Sequence, residues 1–177
     1  ATPAGYLRVG VMGNVRRDDY ADQTRVDTLG HHITGSFGGY VQVRRARFLV
    51  SRGLEGFGRE QDVDISTVVG VAMYATPKAL GYDEMGVGPS LSVGTGFGNP
   101  SGFIRLAGLA AGRVTGAGLD SGSVHLSATA FFLPGSRHMA VLHAAAGWQE
   151  HAAPGAEFDL ALGVGPRAFT QHAFTGN

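Results

Sequence analysis

Cysteine is absent from the 177 residues. That excludes a disulfide scaffold and thiolate chemistry, and it is compatible with an oxidising bacterial compartment. Lysine occurs once, at Lys78, against thirteen arginines, and acids balance bases at 14 each for a formal net charge of +0. A chain with no basic excess has no electrostatic footprint for DNA or RNA. Charged residues make up only 16% of the chain, where an ordinary soluble domain has roughly 25%. No apolar run approaches the roughly 18 residues that a membrane helix requires. No signal peptide is visible, and the opening "ATPAGY" suits either a mature N-terminus left by a signal peptidase or a truncated chain.

Two further absences bear on chemistry. The Gly-rich run "GTGFGNPSG", Gly94 to Gly102, lacks the Lys-Ser/Thr pair of a phosphate-binding loop and precedes a strand pattern rather than a helix, so it reads as a hairpin turn. No nucleotide is expected. Nor does any Gly-x-Ser-x-Gly elbow occur, and a paper triad such as Ser127, His125 and Asp159 has no accompanying oxyanion hole.

What the chain does have is glycine, 29 residues of it, about twice the usual share, and a hydrophobic period of two. In "GFIRLAGLAAGRV", Ile104, Leu106, Gly108, Ala110, Gly112 and Val114 share one face, with Arg105 and Arg113 on the other. The pattern returns with Val124, Leu126, Ala128, Ala130 and Phe132, with Ala140, Leu142, Ala144, Ala146 and Trp148, and with Phe158, Leu160, Leu162 and Val164. It also places Val63, Ile65, Thr67, Val69, Val71 and Met73 together, opposite Asp64, Ser66 and Tyr74. Strands are expected near 5–16, 31–52 (one long or two short), 62–76, 86–98, 102–114, 121–133, 137–150 and 156–165, with a last one near 168–175. Turn signals such as "GNPSG", "TGAGLDSG" and "LPGSR" separate them, and "TPKALG" offers a single helical turn. Short connections make neighbours antiparallel. The expected fold is all-β: one domain over 1–177, an antiparallel up-and-down meander of 8–10 strands, as a barrel or partial barrel.

Each strand has one apolar face, which a soluble barrel turns inward and a membrane barrel turns to lipid. The second face is mostly Gly, Ser, Ala, His and Thr, where water-facing strands usually carry long charged side chains. Runs of ten to fourteen residues suit spanning better than the five or six of a typical soluble strand. A spanning barrel also has short turns at one end and longer loops at the other, with interfacial aromatics; Trp148, Tyr74 and Tyr82 are the candidates.

The closing segment "LALGVGPRAFTQHAFTGN" resembles the region before and within the inward-folded loop of the outer-membrane surface-antigen barrels, the superfamily of the barrel-assembly translocases and two-partner secretion pores. Arg167, Ala168 and Phe169 stand at that family's Arg–Gly–aromatic tripeptide, with Ala168 in place of the glycine, and Phe174, Thr175, Gly176 and Asn177 follow. The resemblance implies that Arg167 and Phe169 lock a loop inside the barrel against an acid of its wall, with Asp159 or Asp64 as partner. It implies a non-enzymatic structural or transport-type barrel of the bacterial cell envelope, at the outer membrane or the periplasmic face of a membrane, in contact with membrane lipid or membrane-protein subunits. The family's barrels have about twice the strands found here. The sheet is then either the first part of a longer barrel or an extrinsic accessory subunit whose open edges partners cover. A soluble barrel binding a small ligand is the remaining alternative.

The basic cluster Arg44, Arg45 and Arg47 is the candidate contact for lipid phosphates or a partner's carboxylates. His125 and His143 lie on the polar faces of neighbouring strands and His138 opens the second, but two histidines without a third ligand do not make a metal site. No metal or cofactor is expected. If Arg167 locks the terminal loop, Arg167→Ala lowers the melting temperature by several degrees and Arg167→Lys does not restore it, because only the guanidinium fork engages a carboxylate at two points. An unchanged melting temperature refutes the lock.

Overall fold

The computed structural model describes residues 4–18, 32–52, 60–133, 138–151, 158–159 and 175–176. The chain is built of strands: β1 (Gly5–Asp18), β2 (His32–Arg45), β3 (Phe48–Arg52), β4 (Glu60–Asp64), β5 (Thr67–Thr76), β6 (Gly86–Asn99), β7 (Gly102–Thr115), β8 (Gly118–Phe132), β9 (Ala140–Glu150), β10 (Phe158–Asp159) and β11 (Thr175–Gly176). Seven of them form one antiparallel sheet in the order β1-β2-β5-β6-β7-β8-β9, an up-and-down meander that is not closed into a barrel. The β3–β4 hairpin is inserted between β2 and β5, and β10 pairs with β11. One 3₁₀ turn, Lys78–Leu80, occupies the expected "TPKALG" position.

Register follows from the apolar pattern, since a slip by one residue would turn every side chain to the wrong face. Leu7, Val43, Val69, Val93, Gly108, Leu126 and Ala146 form one cross-strand row through all seven strands. Val9, Val41, Val71, Leu91, Ala110, Val124 and Trp148 form the next. The opposite face carries rows such as Arg8, Gln42, Gly70, Ser92, Leu109, His125 and Gly147. Alternation within a strand therefore becomes two chemically distinct faces across the whole sheet.

The expected single strand 62–76 is broken at Ile65–Ser66, and the shared face for Val63 through Met73 fails at that point. The Asp64 carboxylate accepts from the Ser66 amide at 2.8 Å, a local turn that competes with the ladder. Before the break Val63 and Ile65 are buried; after it Val69, Val71 and Met73 are exposed on the apolar face. The segment 31–52 likewise divides in two, β2 in the large sheet and β3 outside it.

The core among the described residues is small: Leu49 and Val63 of the hairpin, Ile65, Phe103 and Leu133, with Phe131 packed against them. Phe103 and Phe131 stack with centroids 4.6 Å apart. This cluster holds the hairpin to the polar side of one sheet end, where Ile65 lies on Gly96 and the Gly96 amide donates to the Ile65 carbonyl at 3.3 Å. Tight turns do not gather at one end of the sheet. Asn99–Gly102 reverses the chain at the hairpin end, while Thr115–Gly118 reverses it at the other.

A Cβ at position 96 would sit 2.8 Å from the Ile65 Cβ, whereas at Gly94 on the same face it would meet only the Leu106 carbonyl at 3.9 Å. Gly96→Ala should therefore destabilise by about 1–3 kcal/mol through forced separation of hairpin and sheet. Gly94→Ala should be tolerated, and urea unfolding of the two variants compares them directly.

Candidate functional site

The polar face is where the sheet gathers groups capable of chemistry, and two arginine-centred clusters organise it. Arg113, on β7, is only 12% exposed in its side chain. Its Nε donates to the Thr76 hydroxyl at 2.9 Å, its Nη1 to Asp120 at 2.5 Å, and its Nη2 to the Glu84 carbonyl. The guanidinium also lies over the Tyr82 ring, 4.6 Å from its centroid. One side chain thus ties β5, the β5–β6 connection and the start of β8 to β7. The β7–β8 register shift at Arg113/Val114 belongs to the same place, with Asp120 as the residue between the paired Leu119 and Ser121.

Beside it Tyr74 crosses Gly88 and donates its hydroxyl to the Gly112 carbonyl at 3.2 Å. A Cβ at Gly88 would fall 1.8 Å from the tyrosine ring. Glycine on this face makes room for an aromatic that spans strands. Tyr74 and Tyr82 are therefore polar-face residues and not the interfacial aromatics the sequence suggests; Trp148 does lie on the apolar face, 52% exposed.

At the hairpin end, Arg44 pairs with Asp64 at 2.6 Å and donates to the Ser66 hydroxyl at 3.3 Å. The same guanidinium lies 5.9 Å from the Phe48 ring centroid. Burial alone would raise the Asp64 carboxyl, but hydrogen bonding from Ser66 and the charges of Arg44 and Arg105 outweigh it and hold the group below its usual 3.8. The three arginines expected to act as one cluster are divided. Arg44 is engaged with Asp64 on the polar face, Arg45 is on the opposite face by strand alternation, and Arg47 meets Ser66 through its backbone. The register therefore puts Arg44 and Arg45 on different faces of β2.

A depression of about 400 Å³ adjoins this cluster, lined by Asp64, Ser66, Arg105, Ser127 and Thr129 among others. Thr129 and His143 are cross-strand partners, with Oγ1 and Nδ1 2.8 Å apart. His125 pairs instead with Gly147, two residue pairs further along on the same face, and no group of three metal-ligating side chains occurs among the described residues. A second depression of about 480 Å³, lined by Asn14, Ser36, Tyr74, Tyr82 and Ser90 among others, lies at the opposite end.

Arg167 and Phe169 lie outside the described residues, and Asp159 is placed only as a β10 residue paired with Thr175. Asp64, the other acid offered to Arg167, is held by Arg44. Among the described residues, Arg113 is an arginine that ties a connection to the sheet. Its signal in the sequence is the hairpin "RVTGAGLD", which returns Asp120 beside Arg113 once the strands pair; Thr76 and the Glu84 carbonyl have no such signal.

Two outcomes follow. Arg113→Ala removes charge-assisted bonds in three directions and should cost about 2–3 kcal/mol, with Arg113→Lys recovering little because an ammonium cannot span the three acceptors. The Asp64 contribution, from a depressed carboxyl, is complete above about pH 3.9 and disappears as pH falls through the lower folded value. Amide protection in the β3–β4 hairpin, corrected for the intrinsic exchange rate, should fall over that interval, and Asp64→Asn should weaken that pH dependence. No family model, curated protein or solved structure matches this chain.

Proposed function

We propose that this chain is a non-enzymatic, structural or transport-type sheet of an outer-membrane β-barrel in a bacterial cell envelope, related to the surface-antigen barrels. Its apolar face meets acyl chains and its polar face lines a wet interior.

The observation that carries the reading is the exposed apolar face. Val9 is 73% exposed, Val11 91%, Val15 80% and Leu142 73%, and exposed large apolar residues occur on all seven strands. A face of that extent has no place in water. Charged residues on it stand at strand ends, Arg17 and Arg45 on β1 and β2 and Glu150 on β9. Apolar positions on β6 run from Val87 to Phe97, about 34 Å along a strand. A tilt of about 40° reduces this to about 26 Å, close to the apolar band of a spanning barrel. The unpaired edges β1 and β9 require hydrogen-bonding partners in lipid, which in this reading are further strands of the same barrel.

Trp148, the sole tryptophan, is the natural probe because it lies on the apolar face. With the full chain reconstituted in phosphatidylcholine vesicles, its emission should shift to the blue and be quenched by brominated acyl chains. Unquenched emission from a monodisperse chain in detergent-free buffer would overturn the lipid-facing reading in favour of a soluble or partner-covered sheet.

A further inference from the structure

Resting on the membrane reading above, we propose that the polar face carries small soluble anions. The seven strands of the sheet contain three acids, Asp18, Asp120 and Glu150, each within three residues of a strand end. Between those ends the charged residues of the polar face are arginines. Arg8 is the fourth residue of β1 and Arg105 the fourth of β7, with Arg44 near the end of β2 and Arg113 near the end of β7.

Two acids reach these arginines: Asp64 binds Arg44 and also feels the charge of Arg105, and Asp120 binds Arg113. Arg8 is exposed and stacks over Tyr6, 4.4 Å from the ring centroid. Tyr6 is itself fixed by donation to Gln42 Oε1 at 3.1 Å. Arg105 is exposed on the wall of the 400 Å³ depression, which Ser127, Thr129 and the Arg44-paired Asp64 also line. The Arg44 Nε is buried without a hydrogen-bond partner.

Arginines on the wall of an aqueous path, with hydroxyls between them and the nearby acids already paired with arginine, favour anions over cations. Low-dielectric surroundings sharpen that preference by focusing the field. The guanidinium suits the role because it is weakly hydrated and does not deprotonate. Chloride is the simplest probe of the class.

The test is a planar-bilayer recording of the full chain under a KCl gradient, beside the brominated-lipid measurement on Trp148. The reversal potential should lie toward the chloride equilibrium potential. Arg8→Glu with Arg105→Glu should lower the chloride-to-potassium permeability ratio by at least about threefold. Both side chains are exposed, so this variant should retain Trp148 quenching; if it does not, Arg8→Gln with Arg105→Gln replaces it and should lower the ratio in the same direction. Potassium selectivity, or a ratio unchanged in the substituted chain, overturns the inference. So does absence of conductance in bilayers where Trp148 is quenched, and that result leaves the membrane reading intact. Unquenched Trp148 removes the membrane reading and this inference with it.

Discussion

Everything in this molecule depends on one continuous antiparallel hydrogen-bond ladder across seven strands. A ladder with side-chain period two has only two registers that matter, and they exchange the faces. The rows Leu7 to Ala146 and Val9 to Trp148 are kept in phase by this constraint alone. No second layer covers the sheet among the described residues; the buried cluster involves the hairpin and one sheet end. Backbone pairing, not core packing, therefore holds the bulk of the described structure.

The two arginine clusters close the places where the ladder itself gives out. Arg113 acts at the β7–β8 irregularity and the β5–β6 connection; Arg44 acts at the break where the chain passes from the β3–β4 hairpin into β5. In both, the fork joins segments far apart in sequence, and in both an aromatic ring lies against the cation. Glycine has the complementary role. Gly88 admits the Tyr74 ring and Gly96 admits Ile65, so the glycine content of the polar face reflects steric need at specific positions.

The strand positions from 5 to 150 apart from 62–76, the turns at "GNPSG" and "TGAGLDSG", and the face of nearly every residue from 86 to 150 were legible in the sequence, because local alternation and turn chemistry are short-range properties. The strands expected near 156–165 and 168–175 lie, but for two residues each, outside the described residues. The 62–76 segment was misread as one strand. Nothing in its alternation reveals that the Asp64 carboxylate would capture the Ser66 amide and turn Ile65 onto Gly96. The adjacency of Arg44, Arg45 and Arg47 suggested a single basic patch, but alternation along β2 sends neighbours to opposite faces, and Arg44 finds its acid on a strand twenty residues away.

The sequence by itself determined an all-β chain with one apolar and one small-polar face, because a period-two pattern admits no other economical folding. The tertiary structure alone decided three matters: that the meander stays open, that the β3–β4 hairpin packs on the polar side of one end, and that Arg113 ties the β5–β6 connection to β7 and β8. Each depends on contacts between residues distant along the chain, such as Arg113 with Thr76 or Ile65 with Gly96. Local pattern is silent about such pairs until strand register has brought them together.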